Sequence, residues 1–274
     1  MSATPKAALT AHAPLSAFTL ARVFFRSLFL QATWNRRGMQ NLGFAYAIEP
    51  ALRALYPERD RLEEALRRHL GFFNCHPYMA AAILGGAINH EERVAAGVEP
   101  PESPQNYKQT LQGPLAAIGD GFFWTALRPF FGALGAVGAL WFGVPAIVAV
   151  IAIYNVVHLT LRVALFRAGY NRGDALVPLL ARMALPVVAD RLRTGGALLA
   201  GVAAGMLILR AGTLIGPGVG PLAALAGLLV ALVAIVGYLA LARGARLFPS
   251  LYVAAAAGAG AALLLARLPG SHSP

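Results

Sequence analysis

Three stretches of this chain carry no Asp, Glu, Lys or Arg: Pro129–Leu161, Ala211–Ala242 and Leu247–Ala266. A helix needs about 20 residues at 1.5 Å rise to cross a hydrocarbon core about 30 Å thick, so each is long enough to span a membrane. A fourth, Thr194–Leu209, is shorter but runs on through the lone Arg210 into Leu214 and Ile215. The pattern predicts four spanning helices near 130–153, 195–214, 221–242 and 248–267, followed by a tail over 268–274.

The first 128 residues have a different pattern, amphipathic and interrupted. Residues 1–14 are rich in Ala, Thr and Pro and read as disordered. Leu15–Trp34 sets Leu20, Phe24 and Leu28 at helical spacing with Arg22 and Arg26 a turn apart. That suits a helix lying in the membrane interface with its positive face toward anionic headgroups, and the two arginines speak against a secretory signal. Glu58–Leu70 pairs Glu63 with Arg67 and Glu64 with Arg68 at i,i+4, which reads as a short solvated helix on the cytoplasmic surface.

Two apolar pieces in this half are each polar at one point. Gly71–Asn89 holds Asn74-Cys75-His76-Pro77, and Gly113–Leu127 holds Gly119-Asp120-Gly121, with Gly113-Pro114 before it. Between them Glu99-Pro100-Pro101-Glu102-Ser103-Pro104 reads as a loop. Pro and Gly free backbone groups that lipid cannot satisfy, so such breaks persist inside protein or beside a water-filled cavity. The expected fold is an all-α polytopic membrane protein, with interrupted or re-entrant hairpins in residues 15–128 and transmembrane helices over 129–267. Paired interruptions point to a transporter substrate site, and ordinary kinked helices with satisfied polar residues are the alternative.

Composition supports the membrane reading. Of 274 residues, 58% are hydrophobic and 13% charged, against about 25% charged in an ordinary soluble domain. The net charge of +11 points to lipid headgroups as the polyanion, because a nucleic-acid binder needs a solvated basic face. Ten of twelve acids lie at or before Asp120, and beyond it come eleven Arg and no Lys. Arg162, Arg167, Arg172, Arg182, Arg191 and Arg193 crowd the connection after the first spanning helix, which places that loop in the cytoplasm and the C-terminus outside. The lone Cys75 excludes an internal disulfide and any CxxC site, and reads as a packed small hydrophobe. His69, His76, His90 and His158 do not form a metal set, because Gly71 and Pro77 spoil the spacing of the first two; His69 reads as a helix-end residue. Gly201, Gly205, Gly132, Gly135 and Gly138 read as sites of close helix contact.

Phe25-Arg26-Ser27, Gln31, Trp34-Asn35, Met39-Gln40, Leu42-Gly43-Phe44, Pro50-Ala51, Leu55-Tyr56-Pro57, Arg68-His69-Leu70, Phe72-Phe73-Asn74 and Pro77 resemble the IID membrane component of mannose-type sugar phosphotransferase systems (PTS). So do Gly113-Pro114-Leu115-Ala116, Gly119-Asp120, Phe123-Trp124, Arg128-Pro129 and Ala133-Leu134-Gly135, in unbroken order over about residues 18–175. The resemblance implies a non-catalytic subunit without cofactor or metal, in the bacterial inner membrane. It implies pairing with the membrane protein IIC as a trimer of heterodimers, with a hexose crossing by an elevator movement and soluble IIA and IIB domains relaying the phosphate. Three departures stand out: Gly121 where Pro is frequent, Glu49 before Pro50 where an apolar residue is usual, and the tight turn at 215–221. They leave open a degenerate subunit acting as a regulatory or assembly partner. A membrane-embedded enzyme using Asp120 and His76 is the weakest alternative, since nothing activates a nucleophile.

Under the transport reading, a hexose hydroxyl shell calls for amide and carboxylate groups at a broken segment. Asn74 is the first candidate, followed by His76, Gln40 and Asn35. Trp34 is either a ring for the sugar's apolar face or an interfacial aromatic. Asp120 is either a ligand or a cap for the second hairpin's backbone.

Overall fold

The computed structural model describes residues 14–214, with side chains as far as Leu207. The chain divides into a unit ending at Leu199 and a second beginning at Ala200, of which only the end of one helix is described. The expected spans at 221–242 and 248–267, the 215–221 turn and residues 1–13 lie outside the described residues.

Helix α1, Ala17–Ser27, starts at Ser16, whose hydroxyl accepts from the Thr19 amide. The helix is amphipathic, but the stripe it buries is not the expected Leu20, Phe24 and Leu28: Val23, Ser27 and the following Leu30 are buried, Leu20 and Phe24 are half-buried, and Leu28, Phe18, Phe25 and Phe29 are exposed. The positive face is smaller than expected. Arg26 turns inward, 4.5 Å over the Tyr46 ring and 2.5 Å from Glu49, a carboxylate that also pairs with Arg53. Glu49 therefore has the partners that a half-buried charge requires.

Helices α2 (Asn41–Leu55) and α3 (Arg59–His69) form a hairpin against α1 and α4 (Ala80–Ala95). On α3 the expected Glu64–Arg68 pair is present, and the expected Glu63–Arg67 pair is not found among the described residues. Glu63 pairs with Arg59 at 3.1 Å, and Arg68 sits closer to Glu91 of α4, at 2.9 Å, than to Glu64, at 3.9 Å. His69 is the last residue of α3, as expected, and it is fully buried.

The two interruptions part company. Residues 71–79 are irregular, as expected, and the broken backbone is held inside protein. Met39 pairs as an isolated β-bridge with Asn35 and with Phe73, and the Gln40 side chain clamps Cys75 from both sides. The second interruption is absent. Helix α5, Ser103–Gly119, passes through Pro114 and continues as a π-helical stretch, Asp120–Leu127, into α6, Arg128–Phe142. No hairpin tip exists at Gly119-Asp120-Gly121. The wider register absorbs the mismatch, and the Gly121 carbonyl accepts from Thr125 Oγ1 at 2.7 Å and Arg193 Nη2 at 3.2 Å.

The expected helix at 130–153 is also corrected. Gly143, at φ +65°, ends α6 and begins α7, Val144–Arg172, so this charge-free stretch is a helical hairpin with an apolar apex. Only Gly adopts that backbone without strain. A 3₁₀ turn (Gly173–Ala175), α8 (Leu176–Arg182) and α9 (Leu185–Leu214) follow, the last containing the expected 195–214 span. Ser103–Phe142 and Val144–Arg182 are the two helical runs among the described residues long and apolar enough to cross a membrane.

Helices α4 and α7 cross with their backbones touching. A methyl group built at Gly85 would collide with the Phe166 carbonyl, and one at Gly169 with the Ala82 carbonyl. Close contact therefore falls at Gly85 and Gly169, not at the expected Gly132, which has no neighbour within 4 Å. Gly135 and Gly138 do face α7: a methyl group built on them would lie 3.6 Å from Val150 and 3.0 Å from Ala146. Gly201 and Gly205 have no such neighbour among the described residues.

Candidate functional site

The irregular 71–79 segment lies against the long α5–α6 helix, and this places chemistry from two parts of the chain together. The Asn74 amide donates to Gln112 Oε1 at 3.0 Å, leaving the exposed Asn74 side chain uncommitted. Gly119 packs against the His76 side chain and Met79 Cγ with no room for a methyl group. The His76 ring stacks on Phe123 at 4.9 Å between centroids and lies 5.0 Å from Trp124. Asp120 is exposed and within electrostatic reach of Cys75. Asn74 and Asp120 are thus both exposed near this docking, and Trp124 lies beside the buried His76.

The remaining candidates are used elsewhere. Gln40 is 2% exposed; its Nε2 donates to the Cys75 carbonyl at 2.9 Å and its Oε1 accepts from the Cys75 amide at 3.1 Å. It builds the site and does not line it. Asn35 accepts from the Gly38 and Arg37 amides and donates to Asn41, closing the turn before α2. Trp34 is 54% exposed and joins none of the described ring contacts. His76 is 2% exposed, with a buried Nε2 lacking a partner among the described residues. Asp120 caps no hairpin, because it sits inside a continuous helix.

A buried polar network joins α3, α4 and α5. Glu91, on α4, accepts from Tyr56 at 2.7 Å, Arg68 at 2.9 Å and His69 at 2.9 Å. Lys108, on α5, lies 3.5 Å from His69 Nδ1 and 4.4 Å from the Phe44 ring centroid. Burial pushes the His69 pKa down to about 4, so the ring is neutral, donating through Nε2 and accepting from Lys108. Burial opposes ionisation of Glu91, but hydrogen bonds from His69, Arg68 and Tyr56 outweigh it and hold the carboxyl below its ordinary value. Burial and the Glu91 charge push the Tyr56 phenol up.

Sequence reasoning missed Glu91, Lys108, Gln112 and Trp124 as parts of the site. For Lys108 a signal existed: it falls at helical spacing among Pro104, Tyr107, Leu111 and Leu115, all buried. A charge on an apolar stripe requires a built partner. Among the described residues no three His, Cys, Asp or Glu side chains meet at a point suited to a metal.

The described residues define an all-helical protein with two runs long and apolar enough to cross a membrane. Residues 14–214 match the profile of the PTS system mannose/fructose/sorbose family IID component, and the chain belongs to that family. It is 41% identical over 157 residues to the mannose-specific EIID component of Escherichia coli K12, covering 57% of this chain and 56% of that one. The fructose permease IID component of Bacillus subtilis is 34% identical, covering 55% of each. The sorbose-specific EIID component of Klebsiella pneumoniae is 35% identical, covering 58% of each. The chain thus aligns with a little over half the length of these curated relatives. Among solved structures, the mannose transporter ManYZ in complex with microcin E492 matches with a TM-score of 0.57 and 35% identity, over 70% of this chain and 71% of that chain. A structure described as a membrane protein matches with a TM-score of 0.63 and 34% identity, over the same shares.

Proposed function

We propose that this chain pairs with a IIC membrane subunit, as a trimer of heterodimers in the bacterial inner membrane, to carry a hexose across. IIA and IIB domains then phosphorylate the sugar, and this chain is a non-catalytic part of the permease. The observation that supports this reading is the docking of the 71–79 segment on the α5–α6 helix, where Asn74 and Asp120 are exposed and Trp124 lies beside His76. An amide and a carboxylate replace the water shell of hydroxyl groups, while an indole covers an apolar sugar face.

The paired Glu49 and the unbroken helix at Gly121 remove two of the three grounds for a degenerate regulatory partner. The test is co-purification with a IIC subunit, followed by hexose titration of the pair and of each chain alone. Saturable binding by the pair, weakened by Asn74→Ala, supports the assignment. A pair that binds sugar equally well with Asn74→Ala and Trp124→Ala combined would move the sugar contacts into IIC.

A further inference from the structure

The α6–α7 hairpin carries a cleft with one charged end. Its cavity, of about 380 Å³, is lined by Gly132, Gly135 and Ala139 on α6 and by Val150, Ile151 and Tyr154 on α7. Arg128 stands at its mouth, its guanidinium 5.4 Å from the Trp124 ring centroid. The sequence has no Asp or Glu between Gly121 and Gly173, and Arg128 forms no ion pair among the described residues. From Arg128 to Ala139 the helix rises about 16 Å at 1.5 Å per residue. That equals the depth of one leaflet, half of a hydrocarbon core about 30 Å thick.

We infer that this cleft holds one acyl chain of an anionic phospholipid, with the lipid phosphate at Arg128. Charge and depth agree on the occupant: the polar end carries an exposed cation, the walls beyond it are apolar, and the cleft length matches a chain confined to one leaflet. Small side chains on α6 open the space, because Gly132 has no atom within 4 Å of where its Cβ would lie. A guanidinium over an indole is a suitable place for a phosphate, since the ring orients the donors and lipid excludes competing water.

The test uses the full chain, reconstituted in vesicles of equal parts phosphatidylglycerol and phosphatidylcholine, extracted gently and weighed by native mass spectrometry. One retained lipid per chain is expected, with phosphatidylglycerol favoured about fivefold, the preference one arginine gives near an anionic surface. Arg128→Gln should equalise the two lipids. Gly132→Leu projects into the cleft from a position whose Cβ would meet no atom within 4 Å, so it should abolish retention with little change in melting temperature. Retention that survives Gly132→Leu, or no retained lipid, overturns the inference. Loss of the lipid on co-purification with a IIC subunit would overturn it too, by giving the cleft to a helix of that partner.

Discussion

The His69 imidazole and the Glu91 carboxylate meet at 2.9 Å with neither side chain exposed. The contact joins α3 to α4, and Arg68, Tyr56 and Lys108 complete it from three more positions. Its pH dependence follows from the sign of the shifts. Folded His69 titrates near 4, whereas an unfolded histidine titrates near 6.5. Its contribution is therefore present above about 6.5 and lost as the pH falls toward 4, about 3 kcal/mol in all. Glu91, also held below its ordinary value, acts in the same direction at lower pH. Melting temperature measured in detergent should be flat above about pH 6.5 and drop steadily below it. In His69→Gln, which keeps a donor toward Glu91, the decline between pH 6.5 and 4 should flatten. Glu91→Leu should cost about 3–5 kcal/mol at neutral pH, because it leaves the buried His69 donor unmatched and the half-buried Arg68 without its nearer carboxylate.

The crossing of α4 and α7 tolerates no side chain at Gly85 or Gly169. Either position changed to Val should lose at least the 1–3 kcal/mol typical of overpacking, because the collision is with a backbone carbonyl that cannot rotate away. Gly132→Ala, at a glycine with open space beside it, should melt within a degree or two of the unaltered chain. Equal effects at Gly169 and Gly132 would contradict the crossing.

These two elements bracket what the sequence made legible. Charge-free runs and helical spacing are local signals, so the all-α class, the break at Asn74–Pro77, the amphipathic first helix and the Cys75 burial could be read directly. The second interruption could not. Pro114, Gly119 and Gly121 break an isolated helix, and the groups that repair it, Thr125 and Arg193, include one 72 residues away. Gly143 had the opposite problem, a single permissive residue inside a uniformly apolar run. The sugar-site candidates were legible as residue types but not as roles, because Gln40 and Asn35 reveal their backbone partners only once the turn before α2 is formed.

Arg162 ties the first helix to the membrane hairpin. Buried on α7, it donates through Nη2 to the Ser27 carbonyl at 2.5 Å and lies 3.4 Å from the Ser27 hydroxyl. Ser27 ends α1, so the guanidinium meets the negative end of a helix dipole. Arg162→Gln should loosen α1 without unfolding the remainder. Hydrogen exchange over residues 17–34 should accelerate at least tenfold, corresponding to about 1.4 kcal/mol, while exchange in α4 stays as it was. Uniform acceleration in both helices would assign Arg162 to the core in general.

Gln40 shapes the proposed sugar site from within, and Asn74, Asp120 and Trp124 are its proposed contacts. Gln40 makes two hydrogen bonds to the Cys75 backbone from a buried position, so Gln40→Ala leaves a buried amide and carbonyl unmatched and should cost about 2–4 kcal/mol. Its loss of sugar binding should follow the loss of folded protein, and a stabilising lipid or lower temperature should restore both. Asn74→Ala removes only an exposed side chain, because the Asn74 amide that meets Gln112 belongs to the backbone. Melting temperature and recovery with IIC should be unchanged while sugar affinity falls about tenfold, the worth of one or two hydrogen bonds. Asp120→Asn keeps the shape of an exposed helical residue and should behave like Asn74→Ala, since no hairpin depends on its charge. A marked loss of stability in Asp120→Asn with sugar affinity intact would return Asp120 to a structural role and leave Asn74 and Trp124 as the proposed contacts.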